Sequence, residues 1–157
     1  MRRTILTSAA CALLLVLGGV AVAGAAPTAA SGGGAKARVL RFDVRFSPFP
    51  LVDVDHDDAL SLGDYVVFHD VLLSDGQEVG DEGGTCPIVD VAQGLIHCAG
   101  TVRLPGGQIT FQGLTTTAPT KQLAVTGGTG RYQGVGGEAT LVENPDQTGT
   151  LTLRLRR

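Results

Sequence analysis

Between Leu40 and Phe46 the residue types alternate without a break. Leu40, Phe42, Val44 and Phe46 fall on one side, and Arg41, Asp43 and Arg45 on the other. A period of two sends successive side chains to opposite faces of a strand, and a helix cannot satisfy it. Leu151, Leu153 and Leu155 repeat the pattern against Thr152, Arg154 and Arg156 near the end of the chain. Between them lie short β-prone runs punctuated by glycine: "YVVFHDVLL", "GGTCPIVDV", "GLIHCAGTVRL", "LPGGQITFQGL", "KQLAVT" and "YQGVGGEATLV". About eight closely spaced strands without a 3.6-residue period predict an all-β domain over 38–157, an antiparallel barrel or sandwich.

The residues before this domain follow a different pattern. Met1-Arg2-Arg3 is a basic start, "ILTSAACALLLVLGGVAVAG" is an apolar run, and small residues surround Ala25 and Ala26. These are the three parts of an export signal, expected over 1–26, so the protein is expected to be secreted and free of the membrane after cleavage. "PTAASGGGAKA", residues 27–37, has the composition of a flexible Gly/Ala/Ser linker. The net charge is −3, and loss of Arg2 and Arg3 with the signal makes the remainder more acidic. That disfavours nucleic acid and anionic membrane surfaces as partners.

Export also favours disulfides. Cys86 and Cys98 are the cysteines of the expected mature chain. A turn at Ala92-Gln93-Gly94 folds "CPIVDVAQGLIHC" into a hairpin centred on Ala92, which sets the two thiols opposite each other. A Cys86–Cys98 bridge is expected, with two buried free thiols as the alternative. So few soft ligands argue against zinc.

"LAVTGGTGRYQG", Leu123 to Gly134, looks at first like a phosphate-binding loop. A dinucleotide fingerprint needs a following helix, yet the remaining residues are strand-like. Its third glycine would also fall at Gln133. The stretch is expected to be a glycine-built turn. No G-x-S-x-G, H-E-x-x-H or catalytic Cys-His pattern is present, so hydrolase chemistry is unsupported.

Two features carry chemistry. Asp70 shares a strand face with Val66, Phe68 and Leu72, while His69 points the other way. A carboxylate among apolar side chains has a raised pKa, which suits a general acid or base; satisfaction by backbone amides is the alternative. In "DVDHDDALSLGD", Asp53, Asp55, Asp57, Ser61 and Asp64 stand at positions 1, 3, 5, 9 and 12 of an EF-hand-like loop. Position 6 is Asp58 rather than glycine, and no flanking helices are predicted. A weak calcium site at Asp53, Asp55, Asp57 and Asp64 is weighed against a solvated acidic connection.

Taken in order, "GDYVVFHDVLL", "VGDEGGTC", "GTVRLPGGQITFQG", "LAVTGGTGRYQGVGGEATL" and "LTLRL" resemble proteins related to allene oxide cyclase and dirigent proteins. The likeness is to an exported bacterial branch and spans Arg38 to Arg156. It implies an eight-stranded antiparallel, calycin-like barrel with an apolar cavity, often a homotrimer, and no cofactor. It implies cavity positions for Asp43, Asp70 and Cys86, with Phe68 beside them. For Asp43, the alternation of its own strand instead prefers the outer face. The plant relatives guide reactive intermediates, one by cyclising an epoxide and the other by steering radical coupling. The expected function is binding of a small apolar or reactive organic molecule and guidance of its cyclisation or coupling, as a cofactor-independent isomerase or cyclase. A carrier or structural barrel without turnover is the alternative, and a fold alone does not decide between them.

Overall fold

The computed structural model describes residues 37–157. The expected signal over 1–26 and all of the expected linker except Ala37 lie outside the described residues. Among the described residues nine strands run in chain order: β1 Arg38–Arg45, β2 Leu51–Val52, β3 Tyr65–Ser74, β4 Gln77–Asp90, β5 Leu95–Leu104, β6 Gly107–Thr115, β7 Thr120–Gly128, β8 Gly136–Glu143 and β9 Thr148–Arg156.

From β3 to β9 the chain is an antiparallel meander, each strand beside the next. β1 lies between β9 and β3, pairing Phe42 with Leu151 and Val44 with Leu72. This closes an eight-stranded barrel. Closure leaves the main strands without a free edge, where a flat sheet would expose unpaired amides. The two-residue β2 is an addition, set against the start of β3.

Inward positions follow the alternation read from the sequence. At one end the barrel is packed solid. Leu72, Val102, Ile109 and Leu153 have no exposed surface, and Val44 and Leu151 have almost none. Burying such an aliphatic side chain contributes about 1.5–3 kcal/mol. Leu153→Ala at this layer would cost about 2–5 kcal/mol through lost transfer energy and the cavity left behind.

The glycine stretch closes the packed end. Gly130–Tyr132 forms one 3-10 turn between β7 and β8. Gly130 has a φ of 57°, and a Cβ there would lie 2.2 Å from the Gly106 carbonyl oxygen. The Arg131 amide donates to that same carbonyl, and Tyr132 is buried in the core. Glycine therefore serves a close backbone approach between two turns, and no helix follows it.

Candidate functional site

The other half of the barrel is hollow. A cavity of about 250 Å³ lies between the packed layer and the open end. Four of the five phenylalanines reach it: Phe46, Phe49, Phe68 and Phe111. Gly84 and Gly100 make room for two of these rings. A Cβ on Gly100 would lie 2.5 Å from Phe111 Cζ and 2.9 Å from Phe68 Cζ. In their places the Phe68 and Phe111 rings stack with centroids 6.5 Å apart.

Cys86 and Cys98 are joined by a disulfide in this wall, and both line the cavity. The hairpin register agrees with the sequence arithmetic, since Thr85 pairs with Ala99 and Ile88 with Ile96.

Two buried carboxylates line the same space. Asp70 on β3 and Glu82 on β4 are register partners, and each is 2% exposed. Directly opposed antiparallel residues hold their Cβ atoms about 4.5–5.5 Å apart. Asp70 Oδ1 accepts a 2.9 Å hydrogen bond from the Ser47 amide. That amide is free because β1 ends at Arg45 and the chain leaves β3 until β2 rejoins it. Glu82 Oε2 has no hydrogen-bond partner among the described residues. Burial pushes the Asp70 pKa up, opposed by the Ser47 bond. Burial, then the neighbouring Asp70 charge, pushes Glu82 up to about 8. Near neutral pH the pair therefore holds a proton, an arrangement in which one group can donate while the other accepts.

Lys121 on β7 and Glu143 on β8 complete the polar lining. Their 2.7 Å ion pair sits at the cavity, and Lys121 Nζ also donates to the Ala118 carbonyl at 3.0 Å.

Asp70, Phe68 and Cys86 thus meet in one cavity, joined by Glu82, Lys121 and Glu143, which sequence reasoning missed. Asp43 does not join them. It is exposed on the outer face of β1, because Phe42 and Val44 on either side of it turn inward. The cavity position implied for Asp43 by the resemblance is corrected accordingly. His69 also points outward, where Asp81 Oδ2 lies 3.2 Å from its Nε2 and Arg103 pairs with the same carboxylate.

In the acidic loop, ligand atoms of Asp53, Asp55 and Asp57 lie within 4.8 Å of one another. Asp64 stands apart from this trio. It has no exposed surface, and its oxygens accept from the amides of Val54 at 2.9 Å and Ser61 at 2.8 Å. Those bonds hold its carboxyl below the usual range, so Asp64 ties the loop to the start of β3.

The profile of the allene oxide cyclase barrel like domain matches residues 51–153. No curated protein matches the sequence. Among solved structures, a pyocyanin demethylase is 29% identical, with a TM-score of 0.67 over 75% of this chain and 99% of that one. A pterocarpan synthase dirigent protein is 18% identical, with a TM-score of 0.62 over 83% of this chain and 94% of that one. An exo-specific intermolecular Diels-Alderase is 17% identical, with a TM-score of 0.61 over 77% of this chain and 98% of that one.

Proposed function

The chain belongs to the allene oxide cyclase barrel like family, and from that premise we propose that it encloses one small, largely apolar organic molecule and steers its cyclisation or a related rearrangement. The observation that carries this reading is the Asp70–Glu82 pair facing a phenylalanine-lined cavity. A purely structural barrel would fill that volume, because interiors pack to crystal density and buried carboxylates without partners are costly. Here the packed layer stops and the carboxylates begin.

Confinement supplies the first contribution. A cavity of about 250 Å³ restricts the conformations a flexible ligand can adopt and holds its reacting atoms near one another. The carboxylate pair supplies the second. Asp70 accepts a proton at one position of the ligand while Glu82 returns one at another. The sum is an isomerisation that consumes nothing. The names of the solved relatives support the class: a demethylase of pyocyanin, a pterocarpan synthase and a Diels-Alderase all act on small organic molecules. Export of the mature domain from residue 27 belongs to the same reading, and the N-terminal sequence of protein recovered from culture medium tests it.

The ligand claim is tested by thermal shift with indole, limonene and naphthalene. Binding to the folded state alone raises stability by about 2.7 kcal/mol at 100 times Kd. At least one compound should raise the melting temperature, and Leu123→Trp, which fills the cavity, should abolish the shift. No shift with any of them would overturn the reading.

A further inference from the structure

We propose that the molecule held here is a planar conjugated cation, such as a protonated nitrogen heterocycle, with its N–H on Asp70 and Glu82 and its ring against Phe68 and Phe111. This deepens the ligand-cavity reading above and rests on it.

The charges lining the cavity are unequal. Among the described residues, Asp70, Glu82 and Glu143 face it with Lys121 as the single cation, and Lys121 is already held by Glu143 and the Ala118 carbonyl. An anion therefore meets acidic groups and no free cation among the described residues. A cationic donor meets the opposite. Glu82 lines the cavity, and its Oε2 is buried without a hydrogen-bond partner among the described residues. Such an atom costs about 1–3 kcal/mol while unpaired, more if charged, and a ligand N–H removes that cost. The Asp70 carboxylate beside it accepts one bond, from Ser47. Hydrogen bonds between ionised partners are about twice as strong as neutral ones.

The rest of the lining suits the body of such a ligand. Phe68 and Phe111 stack in one wall, and Phe46 and Phe49 meet at 5.6 Å between centroids in another part of the lining. Ring faces attract cations, more strongly once water is excluded. An aliphatic cation would gain the charge contacts and forgo stacking. A neutral arene would stack and leave Glu82 Oε2 unpaired.

Calorimetry on the full chain with three bicyclic probes separates these terms at pH 7. The probes are 4-aminoquinolinium, naphthalene and 1-naphthoate. The cation should bind at least about tenfold tighter than naphthalene, with naphthoate weakest. Asp70→Asn, which removes the charge of the pair, should lose about tenfold in affinity for the cation, Glu82→Gln, which replaces a group that already holds a proton at this pH, should lose less, and both should keep naphthalene affinity within about twofold. Retained naphthalene binding also shows that each variant is folded. Naphthalene or naphthoate binding as tightly as the cation would overturn the charge assignment and leave the cavity reading standing. Failure of all three probes to bind would overturn both.

Discussion

Asp70 and Glu82 face each other across β3 and β4, and a single-residue slip in the hairpin sets them there. Next to the turn the register pairs Leu73 with Glu78; beyond the slip it pairs Leu72 with Gly80 and Asp70 with Glu82. An unbroken hairpin from the Asp75-Gly76 turn would have set Asp81 opposite Asp70. The extra residue instead sends Asp81 outward to His69 and Arg103 and turns Glu82 inward.

The first consequence is a pH-dependent stability. Glu82 titrates near 8 in the folded chain, above its ordinary value. The protonated form therefore supports folding. That contribution is whole below the ordinary carboxylate range and is lost as pH rises toward about 8. Glu82→Gln should be within about 1 kcal/mol of wild type at pH 5 and more stable by about 2–4 kcal/mol at pH 9. Urea denaturation at the two pH values checks the sign.

Much of this architecture is legible in the residues. Alternation orients β1 and β9, and the spacing of Cys86 and Cys98 about Ala92 fixes their bridge. Asp70 follows from Val66 and Phe68 on its own face. Asp43 shows a resemblance and a physical pattern in conflict, and the structure follows the pattern, since moving Asp43 inward would expel Phe42 and Val44. Glu82 is hard to find in the sequence because "GDEGG", residues 80–84, lacks β-branched and aromatic residues, so nothing local extends strand β4 back to Gln77. Counting back in twos from Cys86 would have found it. The same count back from Leu123 reaches Lys121, and a count forward from Leu141 reaches Glu143. The slip itself has no sequence signal comparable to a turn motif, so which acid faced inward depended on three-dimensional pairing.

Asp70 should set part of the Glu82 titration. Its charge is the second cause of the upward shift, after burial. Asp70→Asn removes the charge and keeps an oxygen for the Ser47 amide. Carboxyl carbon NMR should show the Glu82 pKa moving down while staying above the ordinary glutamate range. An unchanged value would mean that the two groups are not coupled.

Gly84 and Gly100 should differ in their tolerance of a methyl group. A Cβ at Gly100 meets chiefly the Phe111 and Phe68 rings, whereas one at Gly84 lies 2.1 Å from the Ala99 carbonyl oxygen. Rings can shift within a hollow cavity, but a ladder carbonyl cannot move without breaking strand pairing. Gly100→Ala should cost about 1–3 kcal/mol, and Gly84→Ala more. Denaturant midpoints, with crystal structures of any folded variant, would rank them.

Reduction of Cys86–Cys98 should weaken the domain without unmaking the hairpin. The bridge spans 12 residues, and loops of that size give about 3 kcal/mol through restriction of the unfolded chain. The neighbouring pairs Thr85–Ala99 and Ile88–Ile96 remain to hold the register. Unfolding midpoints with and without reductant should differ by about 2–4 kcal/mol, with unchanged far-ultraviolet circular dichroism in native buffer. Collapse of the β signal on reduction would show that the bridge, not the ladder, sets this wall.

Asp43 provides the contrasting substitution. It is exposed on the outer face, takes no part in the ion pairs among the described residues, and pairs through its backbone with Thr150 and Leu73. Asp43→Asn keeps that backbone and should change stability by less than about 0.5 kcal/mol. Its affinity for naphthalene and for 4-aminoquinolinium should match wild type, whereas Asp70→Asn should lose the preference for the cation. Calorimetry on the two variants side by side asks whether charge inside the barrel, rather than charge anywhere on the chain, selects the ligand. A comparable loss in Asp43→Asn would return that residue to the cavity and discard the outward orientation of its face.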